Sequence, residues 1–365
     1  MATKRTGREV HLYVGTRKGG FLFRSDPKRK NWKVEGPFFD GSEVNHLTRD
    51  PRTGNLWAAV QSWWFGTDVQ VSKNGGKKWD KASAGLAFPK ERGWDLKRIW
   101  RVTPDREQRP ETLWCGVDPG ALFRTDNGGE EWYELQGLNQ HPTRDRWAPG
   151  GGGLMVHHIL PDRALPQRIG VAISAAGFFR SDDDGHSWTA MSKGVRTDFL
   201  PKKFPEVGQC VHSLAASPAD PNWLFQQNHC GVYRSRDGGE SWQDISKGLP
   251  SRFGFALAVH PHQPETIYVV PEIGPERRYV FDAELNVYRS RDGGKSWRKL
   301  TKGLPRKNTY TQVLRHGSST DTCEDAGVYI GTTSGEIFYS RNSGDSWELL
   351  QAHFPTILSL HAAVV

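Results

Sequence analysis

Ten residues, YRSRDGGESW, run from Tyr233 to Trp242, and YRSRDGGKSW, from Tyr288 to Trp297, differs from them at one position. Looser copies read SKNGGKKW (72–79), TDNGGEEW (125–132), SDDDGHSW (181–188) and SRNSGDSW (340–347). A decayed copy, SDPKRKNW, covers 25–32. The shared pattern is Ser/Thr-x-Asp/Asn-x-Gly-x-x-Trp, broken by Pro27 and Arg29 in the first copy. The tryptophans fall at 32, 79, 132, 188, 242, 297 and 347, a period near fifty residues that fills the chain. A period of that length leaves two architectures, solenoid or propeller.

Each period reads as four short strands. Two β-rich runs and an approach strand precede the box (CVHSLAAS, NWLFQQN, GVYRS), and one run follows it (WQDIS). Turn residues separate them, and no amphipathic helix intervenes. Seven four-stranded units predict an all-β, seven-bladed β-propeller. The first repeat has only three strands, VHLYVGT, FLFRS and WKVEG, whereas PTILSLHAAVV is left over at the end. Joining that last strand to the first three would close the ring and leave no long free edge.

The box then lies in a tight hairpin between the third and fourth strands. Its Ser/Thr and Asp/Asn side chains suit backbone hydrogen bonds in such a turn, and its Gly permits positive φ. The tryptophans, Trp79, Trp132, Trp188, Trp242, Trp297 and Trp347 among them, are expected to pack against the blades. Seven copies cannot all be one active site, so the box reads as scaffold.

These boxes resemble the Asp-box (BNR) repeats of sialidases, xyloglucan-cleaving glycosidases, sortilin-type receptor domains and photosystem assembly factors. The resemblance runs through the seven boxes and implies the propeller fold. For activity it implies either glycosidase-like chemistry or non-catalytic assembly. The Arg-Ile-Pro signature of sialidases does not occur, the nearest string being Arg168-Ile169-Gly170, which counts against sialidase activity.

A single ring uses the whole of 1–365, with residues 1–9 read as a flexible basic tail. The start, MATKRTGREV, lacks an apolar signal core and no run of eighteen apolar residues occurs, so the expectation is a soluble, cytoplasmic protein with no membrane span. Four scattered cysteines (Cys115, Cys210, Cys230, Cys323) do not make a disulfide framework; Cys210 and Cys230 are expected to face each other, reduced, across a strand pair. The net charge is +8, and residues 1–34 carry ten Lys/Arg against Glu9 and Asp26, which accounts for all of it. That basic first blade could dock an acidic protein partner, a membrane surface or nucleic acid, and a solvated basic face is the preferred reading. Nucleic-acid motifs and aromatic interleaving are absent, which argues against nucleic acid.

Function is expected where the connections are long. The face carrying the first-to-second and third-to-fourth strand turns has short loops. The opposite face carries 62–70, 85–98, 137–155, 194–209 and 273–286. Aligning the inner strands by their turns places Asn45, Trp100, His157, His212, Phe255 and Thr311 at the channel mouth, followed by His46, Arg101, His158, Ser213, Ala256 and Gln312. Positions that differ this much among repeats point to one asymmetric pocket. Its expected polar groups are His157, His158, His212, His229, Arg101, Asp118, Asn228 and Glu272, with Trp63, Trp64, Trp100 and Trp147 as walls for a small or saccharide-like ligand.

Three chemistries fit. Asp118 and Glu272 would serve as the carboxylate pair of a glycosidase-like hydrolase or lyase, assisted by His212 and His157. No cofactor is required, but His157, His158, His212 and His229 are the residue type that holds a transition metal. A scaffold binding a protein partner is the non-catalytic alternative. The run Gly150–Gly153 lacks a phosphate-loop ending and reads as a lid or a place of close backbone approach.

Overall fold

The computed structural model describes residues 8–365 and contains seven four-stranded antiparallel sheets. Blade 1 is built from both ends of the chain: Ile357–Val364 is innermost, followed outward by Val10–Thr16, Gly19–Ser25 and Lys33–Phe38. Blades 2 to 7 follow in chain order, with inner strands Glu43–Arg49, Arg98–Pro104, Met155–Pro161, Val211–Ala216, Gly254–Val259 and Ser318–Thr320. The closing strand pairs from Val10↔Val364 to Thr16↔Ile357. The pairing runs one residue further than the expected tail, because Glu9 and Val365 exchange backbone hydrogen bonds of 2.9 and 2.8 Å. Residues 1–7 of that tail lie outside the described residues.

The apolar core follows from this geometry. A blade is too thin to bury both of its faces alone, so the buried side chains form seven clusters, each between two neighbouring blades. Between blades 3 and 4, for example, Trp114 and Leu122 meet Val156, Ile169 and Phe179.

The repeated box has the geometry its letters imply. Ser235 Oγ accepts from Gly239 N at 2.8 Å and donates to Asp237 Oδ1 at 2.6 Å, and the Asp237 carboxylate accepts from Ser241 N and Oγ at 3.0 and 2.5 Å. The Ser290 box repeats this arrangement. The tryptophans also tie blades together. The indole N–H of Trp132, Trp242 and Trp297 donates to Ala82 O, Met191 O and Ile245 O of the preceding blade, at 2.8, 2.8 and 2.9 Å. Trp188 instead donates to Gly185 O within its own box. Arginines of the third strands reach forward: Arg180 to Gly238 O and Arg234 to Gly293 O, at 3.1 and 2.8 Å. Those guanidiniums are therefore spent on the scaffold.

Candidate functional site

The long-loop face is where the inner strands depart from regularity. Each of five inner strands carries a β-bulge, and the residues left out of register are Asn45, Trp100, His157, His212 and the Phe255–Ala256 pair. A bulge re-aims a side chain that the pleat would otherwise bury against a neighbour. The aligned positions are thus set apart by backbone as well as by sequence.

Blade 7 differs from the expected alignment. Ser318 pairs with Ile330 and Thr320 with Val328, which puts His316, not Thr311, level with His212. Thr311 lies back in the loop, 3.1 Å from Thr333 Oγ1. The residues between bend across the channel. The Arg315 guanidinium lies over Trp100 of blade 3 at 5.4 Å and Phe255 of blade 6 at 5.8 Å, with Nη1 3.5 Å from Met155 Sδ of blade 4. His316 Nε2 donates to His157 O, also of blade 4, at 2.8 Å. Arg315 and His316 therefore close the channel. The sequence alignment passed over this loop, 301–317, because it placed the inner strand of blade 7 at Thr311, whereas the strand begins at Ser318.

Above that plug is a cavity of about 650 Å³. Its walls are the loop Arg146–Gly152, the apolar pair Phe199 and Leu200, the inner-strand residues Trp100, His212 and Phe255, and His229. Five arginines line it, Arg17, Arg98, Arg146, Arg278 and Arg315, against one acid, Glu43. Arg98 pairs with Glu43 at 3.2 Å and Arg146 with Glu206 at 2.7 Å. Arg17, Arg278 and Arg315 have no carboxylate partner among the described residues. Trp100 lies between two cations, 5.2 Å from Arg98 and 5.4 Å from Arg315. Burial lowers the Arg315 pKa to about 10, so it stays charged at neutral pH.

The glycine run is a close approach. Gly150–Gly152 line the cavity, where a Cβ on Gly151 would stand 2.6 Å from Arg278 Nη2. A Cβ on Gly153 would stand 2.5 Å from Asp118 Oδ2.

Of the residues expected here from sequence, Trp100, His212 and His229 line the cavity. The expected carboxylate pair does not. Asp118 belongs to blade 3 and lies beneath Gly153, its carboxyl raised by burial against the pull of Lys97 and Arg98. Glu272 belongs to blade 6 and is fully buried; Gln312 donates to its Oε2 at 3.1 Å while Oε1 has no partner, and burial pushes its carboxyl up to about 8. Blades 3 and 6 stand on opposite sides of the ring, and neither carboxylate reaches the cavity wall.

His157, His158 and Arg101 lie deeper, at the level of the plug, and Asn228 is wholly buried. Trp147 packs against His141 and Phe179 as core instead of forming a wall. Trp63 and Trp64 are 98% and 90% exposed, so they point to solvent. The stretch 62–70 is not a long loop, because the strand resumes at Gly66. All four cysteines are free, and Cys210 and Cys230 sit near each other through His229 N donating to Cys210 O at 3.0 Å. The basic first blade is partly neutralised, since Arg24 pairs with Glu35 and Arg29 with Asp321. No helix among the described residues is long and apolar enough to cross a membrane.

The seven boxes and the closed ring define a class: the chain is a seven-bladed β-propeller built on Asp-box-like repeats. Residues 230–354 match the family Sortilin-Vps10 (Sortilin, neurotensin receptor 3). Among curated proteins it is similar to Xyloglucanase Xgh74A of Acetivibrio thermocellus, 23% identical over 59% of this chain and 28% of that protein. It is also similar to the oligoxyloglucan-reducing end-specific xyloglucanase of Emericella nidulans, 22% identical over 80% and 38%. The chain thus spans well under half the length of these relatives. Among solved structures, YCF48 from Cyanidioschyzon merolae matches with TM-score 0.53 and 13% identity over 84% of both chains. YCF48 bound to D1 peptide matches with TM-score 0.53 and 14% identity over 84% and 80%. An ancestral GH74 enzyme matches with TM-score 0.56 and 17% identity over 85% and 39%. At these identities the structures share the fold.

Proposed function

We propose that the protein binds a small anionic ligand, one carrying a carboxylate or phosphate on a compact body such as a sugar ring, in the long-loop cavity, and that it does not cleave glycosides there. The carrying observation is the imbalance of charge: five arginines against one acid, with Arg278 and Arg315 free of carboxylate partners. The Arg315 guanidinium is desolvated by burial without a counter-ion, which is costly, and an anion that arrives with the ligand supplies the missing partner, with the exposed Arg278 as a second donor at the rim. The size, about 650 Å³, suits a drug-sized or monosaccharide-sized molecule, and Phe199 and Leu200 offer an apolar wall for its body. Glycoside cleavage needs two carboxyl groups flanking one bond, and Asp118 and Glu272 are separated by the channel. The likeness to xyloglucanases therefore supports the scaffold and not their chemistry.

The test is a thermal-shift and calorimetric comparison of matched ligands: glucuronate and glucose 6-phosphate against glucose and a neutral xyloglucan oligosaccharide. An anionic ligand at ~100 times its dissociation constant should stabilise the fold by about 2.7 kcal/mol. Arg278→Gln and Arg315→Gln should remove that gain. Equal stabilisation by the neutral sugars, or gains that survive both substitutions, would overturn the reading.

One observation favours a protein partner as the second reading. The exposed aromatics Trp63, Trp64, Phe65, Phe199, Phe204 and Tyr310 all lie on loops of this same face. Exposed aromatic rims are typical of docking sites. A partner captured by the wild type and lost in Trp63→Ala/Trp64→Ala supports that reading; no difference between the two proteins counts against it.

A further inference from the structure

One wall of the cavity carries a donor set that anion binding does not use. Cys210 and His212 stand two residues apart where the inner strand of blade 5 begins, and His229 is on the turn after the next strand. One ligating atom from each lies within 4.8 Å of the other two, and all three residues line the cavity. In a tetrahedral zinc or cobalt site the ligand atoms sit roughly 3.5 Å apart, so a small inward rotation of His229, the only one of the three that is not fully buried, closes the set.

The surroundings prepare these donors. His212 Nδ1 donates to Gly254 O at 2.7 Å, which fixes the tautomer and leaves the Nε2 lone pair for a ligand. Such a backbone acceptor behind the ring is the usual outer-sphere support of a metal-bound histidine. His229 makes no ring-nitrogen hydrogen bond to any described residue and is held by edge contacts with Phe199 and Phe253 at 4.8 and 5.1 Å. Ser174 Oγ lies 3.2 Å from Cys210 Sγ, placed to donate to a thiolate.

The other histidine group argues by contrast. His157, His158 and His316 also lie within 4.8 Å of one another. There the lone pairs of His157 and His158 are committed. His157 Nε2 must donate to Val211 O (2.9 Å), so its Nδ1 accepts from His158 Nδ1 (2.7 Å), and His158 Nε2 is left to accept from Ser213 Oγ (3.3 Å). That chain leaves only His316 Nδ1 without a hydrogen bond, one donor where a metal site needs three.

We infer that Cys210, His212 and His229 form a three-ligand site for a borderline-soft divalent ion such as zinc or cobalt, with its fourth position open to the cavity. One thiolate and two imidazoles suit these ions, and three protein ligands with an open position is the pattern of a site that receives a further ligand. Arg278 and Arg315 weaken binding of a bare cation but favour both the thiolate and an anionic fourth ligand. Metal binding releases the Cys210 proton to solvent and involves no oxidation.

The site is tested on chelator-treated full-length protein titrated with Co²⁺ in the absence of any anionic ligand, so the outcome is independent of the proposed function. One equivalent should give a thiolate-to-cobalt charge-transfer band and visible bands of tetrahedral intensity, both displaced by Zn²⁺. Cys210→Ser should lose the charge-transfer band. His229→Gln, at a partly exposed turn, with native folding checked by circular dichroism, should weaken binding at least ~10-fold, since even outer-sphere changes cost that much. His158→Gln should leave the spectrum unchanged. Absence of saturable binding by natively folded wild type, or a charge-transfer band that survives Cys210→Ser, would overturn the inference.

Discussion

Arg29 and Asp321, 292 residues apart in sequence, form a buried ion pair at 2.9 Å, their side chains 3% and 0% exposed. Arg29 also reaches Asp325 O at 2.5 Å, and Asp321 accepts from Tyr329 Oη at 2.6 Å. Arg29 is one of the two residues that spoil the first box. The decay of that box is thus an exchange: blade 1 gives up a turn motif and gains an anchor onto blade 7 at the seam of the ring.

Removing one partner of such a pair leaves a buried charge unbalanced. Asp321→Ala should cost about 3–5 kcal/mol. The exposed Arg341–Glu348 pair serves as the comparison, and Glu348→Ala should cost no more than about 1 kcal/mol. Urea unfolding midpoints at equal m-value would measure both. Equal, small losses would mean that the seam does not depend on Asp321.

Gly239 and Gly248 share a φ of +95° but not their surroundings. A Cβ on Gly239 would stand 2.2 Å from Phe178 Cε1, in the preceding blade, whereas at Gly248 the nearest atom is Trp297 Cδ1 at 3.8 Å. Both alanine variants carry backbone strain of about 1–3 kcal/mol, and Gly239→Ala should lose a further ~1–3 kcal/mol to overpacking. A smaller loss at Gly239 than at Gly248, read from thermal melts, would contradict the tight blade contact.

Glu272 should make the fold weaker as pH rises. Its carboxyl is pushed up to about 8 in the fold, against an ordinary 4.5, by burial. The folded state keeps the proton that the unfolded chain releases, so stability falls between about pH 4.5 and 8. Glu272→Gln should melt higher than wild type at pH 8 by a few kcal/mol of stability and match it near pH 4.5. A lower melting temperature at pH 8 would show instead that Glu272 is ionised and partnered.

The plug histidines act at the other end of the scale. His46, His158 and His316 are each held neutral, well below 6.5, foremost by burial, with Arg101 adding to it in all three. The unfolded chain takes up protons that the fold refuses, so their contribution is complete above about pH 6.5 and is lost as pH falls. Each should cost about 1.4 kcal/mol per pH unit below that point. His316→Gln should flatten the acid limb of a stability-against-pH curve; an unchanged limb would show that His316 accepts a proton in the fold.

The scaffold was legible because it is written seven times. Four strands per period, the closing strand Ile357–Val364 and the box hairpins depend on local turn chemistry and strand alternation, which sequence carries directly. The long-loop face was legible for the same reason, since long connections are counted in residues. The site was legible only in part. Trp100 and His212 were found because aligning the inner strands by their turns puts them at one position, which the structure shows to be the bulge. Arg315 was missed because the loop before blade 7 breaks the alignment, and Trp63 and Trp64 were misplaced because nothing local tells an exposed hairpin tip from a pocket wall.

The sequence by itself therefore determined the number of blades, the place where the ring closes and the face that carries the long connections, all of which rest on period and on contacts between near neighbours in the chain. Only the tertiary structure decided which side chains meet across the channel. Seven inner strands bring blades 3, 4, 6 and 7 together around Arg315, and residues more than 200 positions apart there set the charge and shape of the cavity. That convergence depends on the ring as a whole, and no single repeat encodes it.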